Sequence, residues 1–234
     1  MSDRTSKPAG SPRSWPVPAA LLVLSAIPLT AGTLRLIQLA GGPAVIPADH
    51  RFTGFPLPLV AHIVSAAVYA LVGILQFVPR FRRRHMDWHR RAGRVLAVAG
   101  LLVVLSALWL TLFYAAQPGT GVLLYVLRLV FGSAMAVCLL LGFTAIRRHD
   151  IAAHRAWMMR AYAIGLAAGT QAFTEPIGGA IFGTGVLAAD LAKGAGWVIN
   201  LAIAEWALRH PAHRPAARRR PALPAGPQRA GALS

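Results

Sequence analysis

The sequence predicts an all-α integral membrane protein: a six-helix transmembrane bundle with a duplicated hairpin core. Three observations predict this fold. The chain of 234 residues is 56% hydrophobic and only 13% charged, whereas a soluble domain carries about 25% charged residues. The apolar residues collect in six stretches of about 20 residues, a length that matches the thickness of a bilayer core. Basic residues collect in the tails and in alternate connectors, which is typical of membrane proteins.

The six predicted spans lie between connectors of different composition. The first follows a basic tail, residues 1–16, which we predict to be disordered because Pro, Ser and Arg are frequent in it. A basic start before an apolar run is also typical of a cleaved signal peptide, but this run is long for one, and Arg35 extends it as a helix end. Pro28 is compatible with a membrane helix because neighbouring helices can accommodate a kink. The predicted spans are 17–40, 57–78, 92–116, 122–146, 157–177 and 186–208.

Basic residues mark one face of the predicted bundle. Two connectors, 79–91 and 147–156, are rich in Arg and His, and a Pro/Arg/Ala tail that we predict to be disordered occupies 209–234. If all six spans cross, both tails and both basic connectors lie on the same side. Because basic loops stay in the cytoplasm, the sequence predicts a multi-pass membrane protein with both termini in the cytoplasm. Its basic face would contact anionic headgroups.

The two basic connectors are alike, which indicates a duplication. Each carries two histidines before an apolar span, with an Arg directly after the second His and another Arg inside the span. The second and third spans therefore resemble the fourth and fifth. Both hairpins run in the same direction, so a pseudo-two-fold axis along the membrane normal would place the connectors side by side.

Composition and motifs argue against several classes of function. The net charge of +17 would suggest nucleic-acid binding in a soluble protein, but basic loops at helix ends explain it here. The single cysteine, Cys138, excludes a disulfide framework and is interpreted as a packing residue. The sequence has no HExxH, no GxxxxGK[ST] and no GxGxxG before a helix. We expect no independent enzyme, while a role in electron transfer stays open.

Six residues at the connectors form a candidate cofactor site, the inner cluster. One hypothesis is a single b-type haem with His89 and His154 as axial ligands of its iron. Arg94 and Arg160 would then pair with the propionates, which accept fork-shaped donors. The alternatives are interfacial anchoring at helix ends, and an anionic ligand such as a quinone or a lipid headgroup. The inner cluster consists of His85, His89, Arg94, His149, His154 and Arg160.

Four residues at the other side form a smaller outer cluster: His62, Arg128, Gln171 and Glu175. Ionisable groups inside a membrane are costly, so they pair or line a cavity. Arg128 and Glu175 are the expected ion pair, with a structural role. The alternative is a small polar pocket in which His62 moves a proton beside that pair.

Distance along the helix limits the haem hypothesis to one haem. His62 lies 16 residues before Val78, which is about 24 Å at 1.5 Å per residue. His62 therefore cannot share a haem with His89 or His154. The later spans offer no histidine at its depth, so the two haems needed for transmembrane electron transfer are not predicted.

Four segments resemble a known family. They are HIVSAAVYALVGILQF, HRRAGR, HRAWMMRAYAIGLAAGTQ and WVINLAIAEW, in this order within residues 57–206. They resemble the bacterial membrane family called domain of unknown function 2306, which brings no established activity and implies a bacterial inner membrane as the location. The layout is also distantly similar to six-helix b-type cytochromes, but it lacks their outer histidine pair. The resemblance implies these positions to test: His62, His89, Arg94, His154, Trp157, Arg160, Gln171 and Glu205.

Three functional hypotheses follow from these patterns. The first is a redox-type or ligand-binding membrane protein that holds a b-type haem or a quinone at the inner cluster. The second is a small-solute or proton transporter that uses the outer cluster. The third is a non-catalytic membrane subunit or scaffold whose basic face contacts lipid or a partner subunit.

Overall fold

Residues 16–210, the part that a computed structural model describes, form helices joined by short connectors, and no strand occurs among them. Beyond this range lie nearly all of the two tails predicted to be disordered; within it, Pro16 and Arg209 are the end residues of helices. A short 3₁₀-helix, His50–Phe52, separates the first two α-helices. The α-helices are α1 Pro16–Leu39, α2 Leu57–Gln76, α3 Pro79–Arg84, α4 Met86–Phe113, α5 Val122–Arg147, α6 Ile151–Gly165, α7 Ala167–Phe182 and α8 Val186–Arg209.

Five of these helices, α1, α2, α4, α5 and α8, are long and apolar enough to cross a membrane. Many of their large apolar side chains lie on the outside: Leu105 is 62% exposed and Ile203 is 60% exposed. An apolar surface of this extent is unfavourable in water and is the surface that lipid tails solvate. The predicted all-α class is confirmed, with five candidate spans among the described residues.

The third helix begins earlier than predicted. α4 starts at Met86 rather than at residue 92, and Asp87 lies in its first turn. An acidic side chain there interacts favourably with the positive end of the helix dipole. As a consequence, His89 lies on the same helix as Arg94 and not in a connector.

The predicted fifth span, 157–177, is two helices instead of one. α6 begins already at Ile151 because the Asp150 side chain accepts a hydrogen bond from the backbone N–H of Ala153 at 2.9 Å and caps the helix. A single residue, Leu166, separates α6 from α7. α7 continues to Phe182, so the connector left between the predicted spans 157–177 and 186–208 shortens to residues 183–185.

Aromatic rings fill the half of the bundle near the α2–α4 and α5–α6 connectors. Tyr162 packs against Tyr69 and Phe77, with ring centroids 5.5 and 4.9 Å apart, and its hydroxyl donates to the carbonyl of Ala70 at 2.7 Å. Gly73 lies directly under the Tyr162 ring, where a β-carbon would clash with it. Large rings over small residues therefore close this half of the core, which also contains Cys138 as predicted.

Two buried polar side chains of α8 fix the helices of the other half. Asn200 donates to the Ala163 carbonyl of α6 at 3.0 Å and accepts from Thr170 of α7 at 2.6 Å, so it bridges the interruption at Leu166. Asp190, only 1% exposed, accepts hydrogen bonds from the backbone N–H groups at the start of α5. Both contacts satisfy backbone or amide groups that would be costly to bury unpaired.

Candidate functional site

A cavity of about 860 Å³ lies in the outer half of the bundle, by which we mean the half nearer the α1–α2 and α4–α5 connectors. Its walls come from α1, α2, α4 and α5, and its floor includes the junction of α6 and α7 at Leu166. Most of the lining is apolar and small. Ligand pockets in proteins measure about 300–1,000 Å³, so this cavity is large enough for an organic molecule.

His62 lines this cavity, and its hydrogen bonds indicate its tautomer. Its Nδ1 lies 3.2 Å from the carbonyl oxygen of Val103 and 3.1 Å from the Ser106 hydroxyl. The Ser106 hydroxyl donates its proton to the Leu102 carbonyl at 2.5 Å. Both partners of Nδ1 therefore act as acceptors, so Nδ1 carries the proton. In the neutral ring, Nε2 is then a hydrogen-bond acceptor.

Arg128 also lines the cavity, about 9 Å along α5 from its first residue at 1.5 Å per residue. Its guanidinium makes no hydrogen bond or ion pair with any residue between 16 and 210. The expected partner, Glu175, instead pairs with Lys193 of α8 at 2.8 Å. The predicted Arg128–Glu175 ion pair is therefore wrong: α7 directs its carboxylate toward α8 rather than toward α5.

Gln171 connects the cavity wall to the Lys193 backbone. Its side-chain N–H donates to the Lys193 carbonyl at 2.9 Å, and the residue lines the cavity. Of the four residues in the outer cluster, three line the cavity, namely His62, Arg128 and Gln171. The sequence therefore brings the right residue types to one place but does not give their pairing.

The α1–α2 connector contributes a second arginine at the edge of the cavity. Arg51 binds both carboxylate oxygens of Asp49, at 2.8 and 2.5 Å, and donates to the Ala115 carbonyl at 3.1 Å. This side-chain hydrogen bonding holds the pKa of Asp49 below its usual value. The hydrogen bond to Ala115 joins the α1–α2 connector to the α4–α5 connector. Because Asp49 neutralises Arg51, Arg128 is the cation of the cavity lining that has no acidic partner among the described residues.

The two histidines proposed as haem ligands are both partly buried at the opposite end of the bundle. His154 Nδ1 lies 2.8 Å from the carbonyl oxygen of Gly142, an acceptor, so Nδ1 carries the proton and Nε2 has a free lone pair. The Nδ1 atom of His89 is buried and has no hydrogen-bond partner among the described residues. His154 is near enough to act on His89 electrostatically.

The other members of the inner cluster are either paired with other residues or exposed. Arg160 forms a two-pronged ion pair with Glu205, with N–O distances of 2.5 and 3.1 Å, and stacks over the ring of Trp157. Arg94, His85 and His149 are exposed. Between residues 16 and 210, no group of three or more His, Cys, Asp or Glu side chains could hold a metal ion.

Three residues at the cavity were not singled out from the sequence: Arg51, Ser106 and Trp197. Ser106 could have been found, since it lies in an antiparallel apolar span at the same depth as His62. Arg51 and Trp197 carry no such signal. Their positions depend on the connector conformation and on the rotation of α8, which spacing alone does not determine.

A family model described as "Predicted membrane protein (DUF2306)" matches residues 59–208. The chain belongs to this family. The DUF2306 match covers α2 to α8 and omits α1, and it confirms the resemblance carried by the four sequence segments. It establishes a membrane protein, and its description names no activity. No curated protein and no solved structure matches the chain, so the expected likeness to six-helix b-type cytochromes has no support.

Proposed function

We propose that this membrane protein binds a small solute in the outer cavity and carries it across the bilayer. The single observation behind the proposal is the cavity of about 860 Å³. It is lined by two polar groups, His62 Nε2 and the Arg128 guanidinium, that bond to no described residue. Ionisable groups inside a membrane are costly, and those that face a cavity commonly mark the path of a solute or an ion. The interrupted segment α6–α7 at the cavity floor agrees with this, since transporters bind solutes beside broken helices.

The proposal includes a topology of six crossings around a duplicated core. α6 and α7 have 15 and 16 residues, and each is shorter than the approximately 20 residues that a crossing needs. Joined at Leu166, they are long enough to cross together. The hairpins α2–α4 and α5–α6 would then be equivalent units, with both basic connectors and both termini in the bacterial cytoplasm.

Cysteine labelling tests this topology. In a Cys138→Ala background, Gln117→Cys places a thiol in the α4–α5 connector and Arg148→Cys places one at the end of α5, both at exposed positions. An impermeant maleimide added to intact cells should label the first variant and not the second. Labelling of both, or of Arg148→Cys alone, would contradict the proposed arrangement.

A cavity-filling substitution tests the transport function. Ala107 lines the cavity on α4, while Leu105 on the same helix faces outward with 62% exposure. Proteoliposomes would be assayed with labelled benzenesulfonate, choline and mannitol, an anion, a cation and a neutral solute that cross bilayers poorly. At least one should enter faster than into protein-free vesicles, and Ala107→Phe should abolish this uptake while Leu105→Phe preserves it. Uptake at the level of protein-free vesicles for all three, or equal uptake by both variants, would refute the function.

A second candidate function is the binding of one b-type haem by His89 and His154. It is favoured by one observation: His154 donates through Nδ1 to a backbone carbonyl, the arrangement that orients a ligating imidazole. The Arg160 guanidinium is engaged by Glu205, so the propionates would need other partners. Purified protein from haem-supplied cells should show a Soret band that His89→Ala and His154→Ala both lose and His85→Ala keeps. A spectrum without that band rejects this candidate.

A further inference from the structure

We infer that the outer cavity takes a monoanionic amphipathic ligand, a carboxylate on an apolar body, and that Arg128 binds the carboxylate. This inference rests on the proposed function, because it names the class of solute for the same cavity. It is carried by the charge balance around Arg128 and by the composition of the cavity wall.

The guanidinium of Arg128 offers five N–H donors in a largely apolar cavity. None of them meets an acceptor among residues 16–210. Arg128 is partly buried, and a charge in a largely apolar surrounding is solvated less well than in bulk water. A planar guanidinium pairs best with a planar carboxylate, which accepts two parallel hydrogen bonds from it.

The acidic side chains that could neutralise Arg128 are each committed elsewhere. Asp49 is bound by Arg51, and Glu175 is bound by Lys193. Asp190 uses its oxygens for the backbone N–H groups of Gly121 and Leu124. Asp190 and Glu175 still act on Arg128 from a distance, and Arg51 opposes them. A ligand anion is therefore the direct partner that the site lacks.

The rest of the lining limits the ligand to a single negative charge on an apolar body. The Nδ1–H of His62 is used by the Val103 carbonyl, and in the neutral ring Nε2 is an acceptor, which does not attract a second anionic group. Ala, Val, Leu and Gly residues form most of the wall, together with the rings of Tyr125 and Trp197. A dianionic phosphate would leave one charge unmatched in this surrounding, and a cation would be repelled by Arg128.

The test is equilibrium binding to the purified protein in lipid nanodiscs, with empty nanodiscs as the reference for partitioning. The probes are octanoate, octanol and octylamine, which share the apolar body and differ in charge. Octanoate should bind most tightly, and Arg128→Gln should weaken its binding by about tenfold or more, as expected for a charged hydrogen-bonding pair. Arg128→Lys should recover part of the loss, because lysine restores the positive charge but cannot donate two parallel hydrogen bonds to the carboxylate.

A matched control removes an arginine outside the cavity. Arg90→Gln alters an exposed position of α4 and should leave octanoate binding unchanged. Equal binding of octanoate by the parent and Arg128→Gln, or tighter binding of octanol or octylamine, would overturn the inference. After either of these binding results, uptake of choline or mannitol that Ala107→Phe abolishes would still support the transport function. Only the proposed ligand class would then fail.

Discussion

Removal of the Asp190 carboxylate should destabilise the outer half of the bundle and displace Arg128. Asp190 of α8 accepts from the N–H of Gly121 at 3.0 and 3.1 Å and from that of Leu124 at 3.0 Å, and it is 1% exposed. It therefore caps α5 from a different helix. Since Arg128 follows within two turns of this cap, the start of α5 sets where its guanidinium lies.

The expected magnitude comes from the groups left without partners. In Asp190→Ala, the buried N–H of Leu124 and the partly buried N–H of Gly121 lose their acceptor, at about 1–3 kcal/mol for each buried group. The sum exceeds the usual loss of about 0.5–2 kcal/mol for a helix cap. We expect the free energy of unfolding to fall by about 2–5 kcal/mol on these terms. Asp190→Asn keeps one acceptor oxygen and should lose about 1–2 kcal/mol.

Unfolding of the purified protein by SDS, followed by circular dichroism, measures this change. Asp87→Ala, an acidic residue exposed in the first turn of α4, is the control and should cost less than about 1 kcal/mol. Octanoate binding by Asp190→Asn should also weaken, because α5 loses its fixed start. If Asp190→Ala unfolds at the same SDS fraction as the parent, the cap does not stabilise the fold as reasoned here.

Three further predictions concern other parts of the molecule. A double-mutant cycle between Arg160→Gln and Glu205→Gln should give a coupling of about 0.5–1 kcal/mol, because the side chains are 27% and 33% exposed and partly screened; a coupling of zero would show that the pair is only a contact. Gly73→Ala should lower the free energy of unfolding by about 1–3 kcal/mol and shift the SDS midpoint down, because the added methyl group would meet the ring of Tyr162. An unchanged midpoint would contradict the close packing. The pKa of Asp49 is lowered in the folded protein, so the ionised carboxylate stabilises the fold above its ordinary pKa near 3.8, and this effect is lost as the pH falls through the folded pKa. The thermal unfolding temperatures of the parent and Asp49→Asn should therefore differ at pH 7 and converge toward pH 3. An equal difference at both pH values would refute this.

The helices could be predicted from the sequence because hydrocarbon length is a strong signal. The starts of α1, α2, α5 and α8 fall within one residue of the predicted spans. The start of α4 could not be placed in the same way. Residues 86–91 are polar and basic, and hydropathy assigns them to a connector although they are helical. The interruption at Leu166 was also invisible, because no Pro or charge marks it and its support comes from Asn200 on a distant helix.

The members of the candidate site were predictable, while their partners were not. Depth along a span can be counted, and His62, Arg128 and Gln171, which the sequence places at similar depth, line one cavity. Pairing depends on how each helix is rotated about its axis. In water the rotation follows from the contrast between an apolar and a polar face, but in lipid both faces are apolar and the contrast is weak. This is why Glu175 was assigned to Arg128 rather than to Lys193.

The same weak contrast explains why the sequence offers a small polar pocket at the outer cluster only as an alternative and does not give the size or the apolar lining of the cavity. Small residues in membrane helices commonly indicate close helix packing, and Gly73 and Gly100 do so, each beneath a tyrosine ring. In the outer half, Ala67 and Ala107 line open space instead, because no aromatic side chain from α6 or α7 reaches across them. The residue type is the same, and the opposing helix decides whether it produces contact or a void. A large residue at Ala107 should therefore fill space without moving a helix, which makes this position a test of the cavity rather than of the fold.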